Sequence, residues 1–184
     1  GFIPRLMTQA RKDLWEQKIF EGNNSTEWGD IGTTIIIDAA NGVGGFTDWT
    51  EENSFLRQHF SPQVILDTSE KAFYDYFVRQ DIKIDYLHID GDHSYEGVKK
   101  DFELYSSIMS ENAIITIHDI DQNYHDTFVV TENAKEDFVP FDGPAKYIKD
   151  LEKNSDWNLV NLKNYRMFDK KVTSTGITLL TRKA

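Results

Sequence analysis

There is no cysteine in the chain, which excludes a disulfide framework, a thiolate nucleophile, an iron-sulfur cluster and a Cys-ligated zinc. Any metal must be held by oxygen and imidazole. Positive charge is also scarce: 20 Lys and Arg against 31 Asp and Glu leave a net charge of -11, which repels a phosphate backbone over most of the surface. No nucleic-acid partner is expected. The longest apolar runs, around Thr34 to Ile37 and Ala113 to Ile117, are strand-sized and far short of the roughly 20 residues of a membrane helix. No membrane partner is expected either. The start, Gly1-Phe2-Ile3-Pro4-Arg5, has neither an initiator Met nor a signal-peptide pattern, so a cleavage scar and a truncated or divergent N-terminal part both stay open. The expectation is a soluble, cytoplasmic protein, with a homo-oligomer left open.

What is present suffices for one core. At 184 residues the chain is about one domain, and 39% hydrophobic with 13% aromatic residues rules out wholesale disorder. With no repeat, low-complexity tract or linker in view, residues 1-184 are expected to form a single domain.

Hydrophobic periodicity gives the order of elements. Leu6, Met7, Ala10 and Leu14 lie on one stripe of an opening helix whose job is packing. Thr33 to Asp38 reads as a buried strand opening onto Ala39-Ala40-Asn41-Gly42-Val43-Gly44-Gly45, and Gln63 to Leu66 as a second strand ending at Asp67-Thr68-Ser69. A helix over Glu70 to Gln80 leads to a third strand, Ile84 to Ile89, closing on Asp90-Gly91-Asp92-His93. Val98, Phe102, Tyr105, Ile108 and Met109 stripe the next helix, and Ala113 to Ile117 is a fourth strand ending at His118-Asp119. The segment from Asp119 to Asp142 reads as a long loop or lid, in which Tyr124, Phe128, Phe138 and Phe141 either line a pocket or simply pack. Gly143-Pro144 then starts a helix, and the runs Trp157 to Leu162 and Gly176 to Thr181 are expected to pair antiparallel at a sheet edge.

Alternating strands and helices imply parallel strands with helical crossovers, and such sheets bind ligands beyond the carboxyl ends of their strands. Consecutive strand ends would bring Asp90, Asp92 and His93 together with His118 and Asp119. Carboxylates so close repel unless a cation neutralises them. Asp92 and Asp119 offer the hard oxygens favoured by Mg²⁺, Ca²⁺ or Mn²⁺, and His118 as a third ligand would tilt the choice toward Mn²⁺, Fe²⁺ or Zn²⁺. The plain alternative is that Asp90 caps the following helix, His93 bonds its backbone, and His118-Asp119 opens a solvated loop.

The run Ile84-Asp85-Tyr86-Leu87-His88-Ile89-Asp90-Gly91-Asp92-His93-Ser94-Tyr95-Glu96-Gly97-Val98, with His118-Asp119 after the next strand, resembles the class I S-adenosylmethionine-dependent methyltransferases. The likeness is to the small-molecule and sugar O-methyltransferase type, which has cephalosporin-hydroxylase-like relatives. It implies an α/β, Rossmann-like doubly wound fold, mostly parallel, with an antiparallel C-terminal strand pair. It also implies S-adenosylmethionine as cofactor, a divalent metal such as Mg or Mn, and a small-molecule or sugar hydroxyl as acceptor.

The same resemblance gives roles to residues. The metal would fall to Asp92, His118 and Asp119, with His118 standing where an acidic residue is more usual. Asp38, followed by Ala39, would bond the cofactor ribose at the end of a second strand, Ser69 would lie near the adenine, and Asp90 near the methionine end. No E-x-G-x-x-x-G precedes Asp38; the nearest candidate is Glu21-Gly22-Asn23-Asn24-Ser25-Thr26, with Gly22 approaching the cofactor. Alternatively Asp38 to Gly44 is itself the glycine-rich turn, matching D-x-A-x-G-x-G. The short spacing from Asp38 to Asp85 favours the second-strand assignment. His93 or His118 would take the acceptor's proton, since imidazole titrates near neutrality.

Three other readings compete. One is a degenerate methyltransferase-fold binding module without turnover. Another is a two-His-one-carboxylate iron hydroxylase built on His93, His118 and a carboxylate. The last is a sugar-phosphate mutase-like protein, suggested by Ile35 to Gly45 and Asp90-Gly91-Asp92 but lacking a phosphoserine loop.

Overall fold

Proline at the third position of a helix costs nothing, because the first turn has no carbonyl partner for its missing N-H. Pro4 accordingly sits in the first turn of α1 (Phe2–Phe20). The computed structural model describes residues 2-27, 31-40, 58, 62-121, 142-154, 156-163, 165-168, 171-174 and 176-183. They fall in two units, Gly1–Ala72 and Phe73–Ala184. The expected glycine-rich turn at 42-45 and the loop or lid with its four aromatics lie outside the described residues.

In the first unit α1 ends where Gly22 takes φ +90. The Gly22 N-H donates to the Ile19 carbonyl at 3.0 Å and the Asn23 N-H to that of Lys18 at 3.0 Å, the pair of bonds that closes a helix through a left-handed glycine. The face α1 buries is not the apolar stripe. Leu6 and Leu14 stay 50% and 45% exposed, whereas Thr8 is 1% exposed. The Thr8 hydroxyl donates to Thr34 Oγ1 at 3.0 Å, and Arg11 donates to the same oxygen at 3.3 Å and to the Gly32 carbonyl. Pairing of buried polar groups selects the face here, over hydrophobic periodicity.

Strands β1 (Ile35–Ile37) and β2 (Gln63–Ile65) pair in parallel, Ile36 opposite Val64. Their carboxyl ends therefore share one edge, where the Asp38 N-H donates to the Ile65 carbonyl at 3.1 Å. A short helix, α2 (Ser69–Ala72), follows, and the Thr68 hydroxyl accepts from the Lys71 N-H at 3.3 Å as its cap.

The second unit opens with a π-helical turn, Phe73–Val78. Phe73 and Phe77 each meet Tyr105 edge-on, with centroids 5.3 Å apart. Strand β3 (Ile84–Ile89) passes through α3 (Tyr95–Ser106) to β4 (Met109–His118), and β3 and β4 pair in parallel. After α4 (Gly143–Asn154), β5 (Trp157–Leu162) and β8 (Ile177–Arg182) pair antiparallel, and β8 also runs antiparallel to β4. The sheet order is β3-β4-β8-β5, so β5 forms the expected antiparallel edge. A hairpin of β6 (Tyr165–Phe168) and β7 (Lys171–Ser174) was not expected. The fold is α/β, with a parallel pair β1-β2 in the first unit and, in the second, a parallel pair β3-β4 continued by the antiparallel strands β8 and β5.

One face of the four-stranded sheet forms the core. Ile89, Ile115, Ile117, Leu180 and Trp157 pack with Val98 and Phe102 of α3 and Tyr147 and Ile148 of α4. Ile115, Ile117 and Leu180 are wholly buried, each worth about 1.5–3 kcal/mol of transfer free energy. This core fixes β3 beside β4 and so determines what their ends can reach.

Candidate functional site

The site begins with register. His88 lies opposite Thr116 and Ile89 opposite Ile117, so one step further Asp90 meets His118, whose Nδ1 is 3.2 Å from Asp90 Oδ1. Beyond β4 the chain bends sharply: Asp119 has φ +55, a left-handed conformation that Asp tolerates better than most residues. Its N-H donates to the Gly176 carbonyl at 3.1 Å. The side chain, 5% exposed, has Oδ2 at 3.4 Å from His93 Nε2 and Oδ1 at 3.0 Å from His118 Nδ1.

His93 arrives from the turn between β3 and α3. Its Nε2 also lies 3.4 Å from Asp90 Oδ1. The turn is held by the cap of α3: the Ser94 hydroxyl accepts from the Gly97 N-H at 3.0 Å, and Asp92 Oδ1 accepts from the Ser94 N-H at 2.8 Å. Asp92 leans on Gly97, where a Cβ would stand 2.4 Å from the Asp92 carboxyl. From the other side Gly143, first residue of α4, touches the turn itself. A Cβ there would fall 2.3 Å from the His93 carbonyl oxygen, Ser94 C and Tyr95 N.

Asp90, His93 and Asp119 each offer one ligand atom, all within 4.8 Å of one another. This set differs from Asp92, His118 and Asp119, the trio that the resemblance implied. Asp92 Oδ1 accepts from the Ser94 N-H, while Asp90 stands at the strand end within reach of His93 and His118. His118 bridges the two inner carboxylates from the side. The sequence carried a signal for this exchange, since Asp-x-Ser before a helix is an Asx-turn and cap pattern.

Protons stand in for a cation here. Burial alone would raise the Asp90 carboxyl, but the hydrogen bond from His118 and the neighbouring His88 and His93 rings outweigh it and hold Asp90 well below the usual carboxylate range. Hydrogen bonds to Asp119 and then Asp90 push His118 up to about 10. The hydrogen bond to Asp90 likewise raises His93. The raised His118 ring thus shares its positive charge with the carboxylates, and a divalent ion would compete with that proton for the same oxygens. Asp119 Oδ1 is buried and lies 3.0 Å from His118 Nδ1, a carboxylate oxygen of the kind for which a hard cation would compete.

The other expected residues lie in the first unit. Asp38 is half-buried at the end of β1 and its Oδ1 accepts from the Ala40 N-H at 2.8 Å; Ala39 beside it is exposed. Ser69 is the first residue of α2. Gly22 terminates α1, so a helix and its cap, with no strand before them among the described residues, form the Glu21-Gly22 segment. Among the described residues β1 is the first strand in the chain. Asp67, just past the end of β2, has no role implied by the resemblance; it accepts from the Thr68 N-H at 2.9 Å and pairs with Lys71.

Among the described residues no helix is long and apolar enough to cross a membrane. No curated protein matches the sequence. In fold the chain is similar to cofactor-bound Rv0187 from MTB, with a TM-score of 0.58 at 10% identity over 85% of this chain and 64% of that one. It is also similar to the O-methyltransferase from Bacillus cereus in complex with SAH (TM-score 0.47, 10% identity, 66% of this chain and 50% of that one). A third similar structure is the O-methyltransferase TomG from Streptomyces achromogenes, involved in tomaymycin synthesis, in complex with SAM (TM-score 0.44, 13% identity, 68% and 51%). The chain thus spans between half and two thirds of the length of these proteins. The fold likeness agrees with the Rossmann-like expectation, and a methyltransferase domain family matches residues 15–120. With more than half of the sequence matched and the strand-end cluster inside that span, the chain belongs to the methyltransferase domain family.

Proposed function

We propose that this chain is an S-adenosylmethionine-dependent O-methyltransferase, assisted by a divalent cation, that acts on a small-molecule or sugar hydroxyl. The observation that carries the reading is the convergence of Asp90, His93 and Asp119 at the ends of adjacent parallel strands in a chain of this family. Mg²⁺ or Mn²⁺ suits two carboxylates and one imidazole, and the imidazole weighs toward Mn²⁺. Such an ion, when bound, lowers the pKa of an acceptor hydroxyl and orients it.

The chain's own residues do the rest. Asp90 and Asp119 hold the negative charge that neutralises the cation, and His93 adds the nitrogen. In the reaction the acceptor oxygen forms a bond to the methyl carbon as the carbon-sulfur bond breaks, and the sulfonium leaves as a neutral thioether. His118 would receive the hydroxyl proton, because its Nδ1 faces the cluster and its side chain is partly exposed to solvent. It can do so only after releasing the proton that Asp119 and Asp90 now hold on it. In the first unit Asp38 stands just past the end of β1, and the glycine-rich sequence that follows it, Asn41-Gly42-Val43-Gly44, suits close approach of a cofactor to the backbone. Asp38, or Asp67 just past the next strand end, would bond a ribose hydroxyl, as an acidic residue does in nucleotide-binding sheets. Ser69 follows Asp67.

Isothermal titration with S-adenosylhomocysteine and, separately, Mn²⁺ tests this, followed by transfer from labelled S-adenosylmethionine to vicinal-diol and catechol acceptors. Binding of both, with transfer lost in chelator, is the expected result. No heat from S-adenosylhomocysteine would leave a binding module and defeat the enzymatic reading.

A further inference from the structure

Behind the cluster, on the face of the sheet turned away from the core, three side chains form a row that the proposed chemistry does not use. Tyr86 Oη lies 2.9 Å from Thr116 Oγ1, and Thr116 Oγ1 lies 2.9 Å from His88 Nδ1. The other nitrogen of the ring, His88 Nε2, faces Asp90 Oδ2 at 3.8 Å. That nitrogen is buried and makes no hydrogen bond, and the His88 side chain is only 12% exposed.

Chemistry selects one arrangement of protons for this row. A neutral ring carries a single N-H. With the hydrogen on Nδ1, a bare lone pair at Nε2 would be directed at a carboxylate oxygen away from water, which is repulsive. With the hydrogen on Nε2, the ring offers Asp90 the positive end of a dipole, and Nδ1 becomes an acceptor. Thr116 must then be the donor to Nδ1. Its competing acceptor, the Leu87 carbonyl, is further away at 3.3 Å. Tyr86 in turn donates to Thr116, and every hydroxyl in the row has its hydrogen placed. The 3.8 Å separation exceeds hydrogen-bond range, so the contact with Asp90 is charge to dipole.

We propose that His88 is a positioning residue for Asp90, fixed by Thr116 as the Nε2-H tautomer so that its N-H orients the Asp90 carboxylate toward the strand-end cluster. Partners of this kind behind a ligating group commonly set metal affinity by factors of about 10–100. The consequence for cation binding rests on the function proposed above; the tautomer does not.

The test uses the whole chain, freed of metal by chelator, in a long-range ¹H-¹⁵N spectrum of the histidine rings at neutral pH. His88 is expected as Nε2-H with Nδ1 bare, assigned by its loss in His88→Phe. Thr116→Val keeps the strand's β-branched shape but removes the donor, and should redistribute the His88 tautomers; Thr116→Ser should restore them. Mn²⁺ titration should show binding weakened roughly tenfold or more in Thr116→Val and recovered in Thr116→Ser. A wild-type His88 that carries its hydrogen on Nδ1, or on both nitrogens, overturns the proposal. So does a Thr116→Val protein with unchanged tautomer or unchanged Mn²⁺ affinity. Should the wild type fail to bind Mn²⁺ at all, the metal-assisted function falls on that result, and the ring spectra alone decide the role of His88.

Discussion

Replacing Asp90 by Asn exchanges a carboxylate for an amide of the same shape and removes one charge from the middle of three imidazoles. His118 Nδ1 sits 3.2 Å from Asp90 Oδ1 and His93 Nε2 3.4 Å from it. At an effective dielectric constant of ~20, unit charges at that separation attract by about 5 kcal/mol. Solvent reduces this, because the His118 and Asp90 side chains are 33% and 42% exposed. A net value of about 1–2 kcal/mol is appropriate for such an open pair, or roughly one pKa unit. In chelated protein His118 should titrate near 10 in the wild type and about a unit lower in Asp90→Asn, the remaining elevation coming from Asp119. The linkage sign follows from an imidazole whose pKa is raised on folding. Its contribution is fully present below the unfolded value of 6.5 and is lost as pH rises through about 10. Asp90→Asn should therefore be less stable than the wild type in urea near neutrality, and the part of that deficit owed to His118 should vanish above pH ~10. Histidine ring-proton titration by NMR together with denaturant midpoints measures both. An unchanged His118 midpoint in Asp90→Asn would refute the charge-sharing picture and leave Asp119 as its sole partner.

Further outcomes follow from the same geometry. Gly143→Ala puts a methyl 2.3 Å from the backbone at His93 to Tyr95, where no flexible side-chain tip can yield. A loss of about 1–3 kcal/mol in urea unfolding is expected, with weaker Mn²⁺ binding because the turn bearing His93 must shift. Asp119→Asn keeps a residue content at φ +55, so its melting temperature should stay close to that of Asp119→Ala or above it, while Mn²⁺ affinity falls in both. Ser94→Ala removes the hydroxyl that caps α3 and should cost ~1 kcal/mol in denaturant unfolding. Leu180→Ala, at a wholly buried position, should cost about 2–5 kcal/mol by the same measurement, with tautomers and titrations of the site histidines unchanged.

Strand periodicity was the most legible feature of the sequence. Ile84 to Ile89 and Trp157 to Leu162 stand as strands with the boundaries their alternation suggested, because each has one face in the core and little freedom to slip. The approach of residues 90–93 to residues 118–119 was legible for the same reason, since adjacent parallel strands deliver their ends to one edge. Roles within that cluster were not. Asp90 and Asp92 differ in their hydrogen bonds, Asp92 accepting from the Ser94 N-H beside the cap of α3 and Asp90 facing His93 and His118, a difference that spacing alone does not rank. The buried face of α1 escaped because Thr8 and Thr34 are 26 residues apart and nothing in a helical wheel announces their meeting. His88 looked like one more polar residue in a strand until its two nitrogens acquired neighbours. The β6-β7 hairpin escaped because Lys171–Ser174 has none of the apolar alternation that marks a core strand.

The contact of Gly143 with the turn before α3 makes the first residue of one helix the rear wall of the loop that carries His93. Such a wall transmits force both ways. Whatever anchors the imidazole at its front also clamps the helix behind, and the opening rate of amide hydrogens along 143-154 becomes a remote gauge of occupancy at the strand ends.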